Sequence, residues 1–235
     1  MKKIFLLTFL VMVFSTISFA SALDLNIEKI SGNEVMIAGV NQPVLFELEI
    51  KNLGADTNVE FYNLVGFRML PSGFVSIKSQ ETKIITLQVS PLGDFDHIGF
   101  YTFTYFIRDE NDVEIEKELT FKRLEMEDAL EIGADEFNPE SSSIKVFVRN
   151  KENFDFGTMN AKFSSLFFNV EDSFELGPKE RRSVSVSLNK EDFNRLLAGF
   201  YTMDVDLKAD EAEANLATSI RFVEKAICFT LKTPR

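Results

Sequence analysis

The chain has 235 residues, 45% hydrophobic and 26% charged, with one Cys, one His, no Trp and 25 Phe. This excludes collagen-like, disulfide-dense and low-complexity chains and leaves ample apolar material for a core. A net charge of −12 opposes nucleic-acid binding, which rests on Lys and Arg neutralising phosphates, and a single His and Cys leave zinc centres and His-based triads short of parts.

Residues 1–22 read as a secretory signal peptide. Lys2 and Lys3 form a basic start, Ile4 to Phe14 an apolar run, and Ala20-Ser21-Ala22 a small-x-small site that predicts cleavage between Ala22 and Leu23. An uncleaved membrane anchor is the alternative, and it is the one membrane connection the sequence suggests. No Cys follows the cleavage site, so a lipid anchor there is not supported. Cleavage would remove two lysines and no acids, leaving 213 residues of charge −14 (−12 less two positive charges).

The next elements are strands. Phe46, Leu48 and Ile50 alternate with Glu47, Glu49 and Lys51, the period-two pattern of a half-buried strand, which ends at Asn52-Leu53-Gly54. Thr82 to Val89 alternates in the same way. Gly99-Phe100-Tyr101-Thr102 opens a further strand, Asp109-Glu110-Asn111-Asp112 reads as a hairpin turn, and Val113 begins a closing strand that runs to Phe121. Leu124 to Phe137 has little Gly or Ser and predicts a semi-rigid link. Beyond it come Val146-Phe147-Val148-Arg149-Asn150, the Phe-rich core segment 163–168, the turn Gly177-Pro178-Lys179-Glu180 and the strand 184–188. Lys190 to Leu197 has Phe193, Leu196 and Leu197 on one helical face. Strands at Gly199-Phe200-Tyr201-Thr202 and Ile220-Arg221-Phe222 close the series.

These elements repeat at a spacing of about one hundred residues. Gly99-Phe100-Tyr101-Thr102 returns at 199–202, residues 48–52 match 146–150, the apolar positions 85, 87 and 89 match 184, 186 and 188, and 119–121 match 220–222. The reading is all-β: two tandem immunoglobulin-like antiparallel β-sandwiches, 23–124 and 125–225, after the signal peptide and before a tail, 226–235. The tail carries Cys228, the only thiol, so no disulfide can form within the chain. Tyr101 and Tyr201, each two residues after Gly99 and Gly199, are expected as structural tyrosine corners, with the hydroxyl returned to backbone a few residues upstream.

On Asn52-Leu53-Gly54, Gly177-Pro178-Lys179-Glu180, Gly99/Tyr101 and Gly199/Tyr201, each copy resembles the Ig-like modules of bacterial and archaeal exported glycosidases and surface proteins, including the cell-adhesion-related (CARDB-like) group. The resemblance covers nearly all of residues 24–225 and implies a fold more than an activity. Two departures stand out: Asn150 is followed by Lys151-Glu152 without a glycine, and Ser79-Gln80-Glu81 replaces the glycine turn in the first copy.

Catalytic templates find no match: no nucleophile elbow, phosphate loop, H-E-x-x-H or C-x-x-C is present. His97, in Asp94-Phe95-Asp96-His97, reads as a loop histidine rather than a catalyst. Asp109, Asn111 and Asp112 are calcium candidates because oxygen ligands gather in one turn, and Asp128 with Asp135-Glu136 is a second group; neither has EF-hand spacing. No cofactor is implied. The reading is an exported, non-enzymatic cell-surface or secreted protein with a structural, adhesive or scaffolding role, its partner a surface protein or envelope polymer. The alternative is a carbohydrate-binding accessory module of an extracellular glycoside-degrading system. A carboxylate hydrolase and a chaperone of secreted subunits rank below both.

Overall fold

Side chains that alternate in the sequence alternate in space, because successive residues of a strand face opposite sides of its sheet. The computed structural model describes residues 23–191, 193 and 196–223. Residues 1–22, read above as a signal peptide, and the tail with Cys228 lie outside the described residues. Among these residues no helix is long and apolar enough to cross a membrane.

The first sandwich comprises β1 (Leu25–Asn33), β2 (Val35–Ile37), β3 (Val44–Asn52), β4 (Thr57–Asn63), β5 (Phe67–Leu70), β6 (Val75–Ile77), β7 (Thr82–Pro91), β8 (Gly99–Asp109) and β9 (Glu114–Leu124). One sheet runs β1-β3-β7-β5 and the other β2-β9-β8-β4-β6. Phe46, Leu48, Ile50, Leu87 and Val89 from one sheet meet Val59, Phe61, Phe103, Ile107 and Phe121 from the other in a single buried cluster. All strand pairs are antiparallel except β2–β9, where Val35, Met36 and Ile37 pair in parallel with Lys122, Arg123 and Leu124.

A single helical turn, α1 (Met126–Ala129), leads into the second sandwich: β10 (Leu130–Ala134), β11 (Ser143–Asn150), β12 (Thr158–Ser165), β13 (Phe168–Glu175), β14 (Arg181–Ser187), β15 (Gly199–Ala209) and β16 (Ala212–Phe222). Its sheets run β10-β11-β14 and β13-β12-β15-β16. Both units are immunoglobulin-like antiparallel β-sandwiches. Phe163, Phe167 and Phe168 are all buried, in keeping with their core assignment. The helix read over 190–197 takes in positions 192, 194 and 195, which lie outside the described residues; Phe193 is buried, and its amide donates to Lys190 at 3.2 Å.

The junction is not a bare linker. All three residues of β2 are buried: Met36 joins the first core, while Val35 and Ile37, with Val40 and Leu124, join the second. Leu124, Met126, Ala129 and Leu130 belong to that same cluster, so residues 35–40 of the first unit help to build the core of its neighbour. The β15–β16 turn docks on the loop after β2. Glu211 N donates to Gly39 O at 3.2 Å, and Asn41 N to an Asp210 carboxylate oxygen at 3.0 Å. Gly39 has φ +75°, and a Cβ there would stand 3.0 Å from Ala212 Cα, so both backbone shape and space call for glycine. The side chain of Gln42 donates to Asp155 O at 2.8 Å, and Lys122 pairs with Glu152 at 3.1 Å.

Candidate interaction surfaces

The motif residues are mostly consumed by corners. Asn52 and Asn150 are fully buried and make matching sets of bonds. Asn52 Oδ1 accepts from Gly54 N, and its Nδ2 donates to Ala55 O and Ile77 O; Asn150 Oδ1 accepts from Glu152 N, and its Nδ2 donates to Phe154 O and Gly177 O. A buried amide with this many partners ties two loops together, since each loop group it serves would otherwise lack a partner away from water. Glu81 accepts from Lys78 N at 2.6 Å and Glu180 from Gly177 N at 2.8 Å, and the residue before each, Gln80 and Lys179, has φ of 62° and 57°. Both departures from the expected pattern therefore leave the geometry intact: any amide can donate to the Asn oxygen, and the Glu carboxylate closes the turn without glycine.

The two tyrosines differ. Tyr201 Oη donates to Leu197 O, four residues upstream, at 2.8 Å. No hydrogen bond from the Tyr101 hydroxyl is found among the described residues, and that ring is held by edge contacts to Phe67, Phe95 and His97. Gly99 adopts φ +107°, a conformation that favours glycine, whereas Gly199 does not have a positive φ. His97 Nε2 lies 2.9 Å from Phe100 O on an exposed loop.

Around each tyrosine the same four rings close one end of the sandwich: Phe67, Phe95, Tyr101 and Phe121 in the first, Phe167, Phe193, Tyr201 and Phe222 in the second. The Phe67–Tyr101 and Phe167–Tyr201 edge contacts have centroids 5.6 Å and 5.1 Å apart. Sequence reasoning missed this set, although phenylalanines 98 to 101 residues apart were there to be read.

The first calcium group is brought together as a turn. Asp109 accepts from the amides of Asn111 and Val113 at 2.8 and 2.9 Å, and Asp112 faces Arg108 at 3.5 Å. Burial pushes the Asp109 carboxyl up, but the Val113 and Asn111 amides outweigh it and hold it below its ordinary value. In the second group Glu136 pairs with Arg221 at 2.8 Å. Among the described residues no three His, Cys, Asp or Glu side chains are placed to hold a metal.

What faces outward is different. Phe100 and Phe200, equivalent in the two copies, are 72% and 73% exposed, and the Arg221 guanidinium lies over the Phe200 ring at 5.9 Å. On the outer face of the five-stranded sheet Tyr62 and Phe106 stack across adjacent strands with centroids 5.2 Å apart. Arg108 bonds Glu60, and the Tyr62 hydroxyl bonds Glu114, whose carboxylate raises the phenol above its ordinary value. On the second sandwich, Asn160, Lys162, Asp206, Lys208, Glu213 and Asn215 are among the residues lining an open trough of about 800 Å³.

No protein-family model and no curated protein match the chain. Among solved structures it is similar to a protein of unknown function from Porphyromonas gingivalis W83, at 8% identity over 84% of this chain and 99% of that one, with a TM-score of 0.33. A chimeric titin Z1Z2 functionalized with an exogenous decorin peptide gives 12%, 88%, 100% and 0.36, and the periplasmic chaperone SfaE gives 11%, 86%, 100% and 0.30.

Proposed function

We propose that the chain is an exported, non-enzymatic interaction module in which two sandwiches joined as one body hold their outward faces at a fixed spacing. The observation that carries this is β2, whose alternate side chains enter two different cores, so the units share apolar packing instead of hanging on a free linker. The resemblance to exported Ig-like surface modules and the basic-apolar-small pattern of residues 1–22 support a location outside the cytoplasmic membrane. The net charge of −12 supports solubility and contact with cationic or polar envelope partners. The carboxylates that the sequence gathers at Asp109 are engaged in shaping a turn, which supports a structural over a chemical role.

One observation favours a second reading, that of a carbohydrate-binding accessory module: the open trough on the second sandwich offers amide, ammonium and carboxylate groups at the spacing of neighbouring strands. Fractionating source cells and sequencing the N-terminus of the full-length gene product tests the main reading. Recovery outside the cytoplasmic membrane with Leu23 first is expected; an uncleaved cytoplasmic product overturns it. Binding on a glycan array that is lost in Asp206→Ala would replace it with the second.

A further inference from the structure

At the joint end of the first sandwich a cavity of about 540 Å³ opens between the loop after β2 and the loop after β7. Arg68 of β5 and Arg123 of β9 both line it, together with Ser90, Asp94, Phe95 and Asp96. β5 and β9 belong to opposite sheets, so one cavity collects a guanidinium from each. A pocket of this size, with an aromatic wall and a few convergent polar groups, suits a small ligand.

Its charges are still to be used. Among the described residues neither arginine forms an ion pair, and neither Asp94 nor Asp96 does. Arg68 is exposed. Arg123 is half-buried, with its guanidinium over the Phe95 ring at 5.8 Å and one long bond, from Nη1 to His97 O at 3.5 Å. The chain has 37 acids against 25 lysines and arginines, yet these two arginines keep their donor forks free of any carboxylate. Arg123 also breaks the duplication. It stands opposite Gly99, the register position that the buried Phe222 fills opposite Gly199, so the first copy holds a charge where the second packs a ring.

We infer that this cavity binds the carboxylate of an acidic sugar, a uronate. A guanidinium fork matches a carboxylate with two parallel N–H donors, and two forks from separate strands fix its direction. Asp94 and Asp96 oppose a phosphate monoester, whose second charge they would repel, and they accept from a ligand that brings hydroxyl groups. Phe95, between them in the chain, lends an apolar wall to the face of a sugar ring. The loop after β2 forms another wall. Its Ile37 and Val40 lie in the second core, and Asn41 and Gln42 bond the second sandwich, so a seated ligand also braces the joint. The site is separate from the trough on the second sandwich. It goes beyond the reading above and stands whether or not the chain is exported.

Isothermal titration calorimetry on the full-length chain tests this with galacturonate, glucuronate and mannuronate, each beside its neutral parent hexose, and with acetate and inorganic phosphate. At least one uronate should bind about tenfold or more tighter than its hexose, acetate or phosphate. Arg68→Gln and Arg123→Gln should each weaken that binding about tenfold, while Asp206→Ala, in the trough, should leave it unchanged. Because Arg68 is exposed, Arg68→Gln decides the matter even where Arg123→Gln lowers the melting temperature. No uronate binding at about 20 mM, equal binding of acetate or phosphate, indifference to Arg68→Gln, or loss in Asp206→Ala overturns the inference.

Discussion

In the first sandwich the stretch between β4 and β7 is split, with β5 given to one sheet and β6 to the other, whereas in the second the single strand β13 pairs along the whole of β12. The corners show the opposite behaviour: the buried Asn, the Glu-closed turn and the four-ring end recur in both copies. An edge needs only alternation and a ladder, so it tolerates rerouting of the chain. A corner must satisfy buried amides and carbonyls with one particular side chain, and its replacement leaves those groups without partners. The copies have therefore kept what is hard to replace and diverged in what is cheap to change.

The largest test of this contrast is at the joint. Ile37→Ala should cost about 2–5 kcal/mol, as expected for a buried aliphatic truncated between close-packed neighbours, and should divide one calorimetric transition into two. Phe137→Ala, at the far end of the second sandwich, should cost about 3–5 kcal/mol and, added to Ile37→Ala, should shift the second transition without moving the first. Asn150→Ala and Asn52→Ala should each cost about 2–4 kcal/mol, since each unmakes three hydrogen bonds of a buried amide to its flanking loops. With the joint already loosened by Ile37→Ala, denaturant titration with a reporter in each sandwich should show that each change acts on its own unit; equal loss in both would erase the distinction.

Titration separates the copies further. Burial pushes the Tyr105 phenol up to about 12, while its counterpart is Val205. A raised folded value favours the protonated form, so this contribution is complete below the ordinary value of 10 and is lost as pH rises from there through 12, about 2–3 kcal/mol in all. Tyr105→Phe should remove this alkaline loss from the first sandwich. Asp109, opposite Ala209 in the repeat, works in the other direction. Its lowered carboxyl stabilises above the ordinary range, and the benefit fades as pH falls through the folded value. Asp109→Ala should cost about 1–3 kcal/mol at neutral pH and progressively less in acid. The smallest effect is at the tyrosines: Tyr201→Phe should cost about 0.5–1.5 kcal/mol for its corner bond, and Tyr101→Phe close to nothing.

Strands, duplication and fold class were legible because period-two alternation reports directly on which side chains meet a core. Thus Phe46, Leu48 and Ile50 were assignable from sequence alone and are buried as expected. The joint was not legible. Val35, Met36 and Ile37 form an unbroken apolar run, which periodicity cannot tell from any other buried segment, and nothing local says that two cores compete for them. The surface was less legible still. Phe100 and Phe200 sit in the repeated motif used to argue for tyrosine corners, yet they point outward, a matter of register that one copy cannot reveal and two equal copies suggest only by their likeness. Tyr101 sits in the same kind of ring set as Tyr201 yet makes no corner bond among the described residues; what differs locally is His97, whose ring packs edge-on against Tyr101.

The parallel pairing of β2 with β9 also bears on how the molecule carries tension. If it is pulled from its two ends, β2 and β9 are drawn in opposite directions along their common axis, so the bonds of Val35, Met36 and Ile37 with Lys122, Arg123 and Leu124 are loaded together in shear. Among the described residues the corresponding contact in the second sandwich is one bridge, Phe137 to Phe222. Stretched as a tether, the chain should yield first in its second unit, and the joint between the two should outlast it.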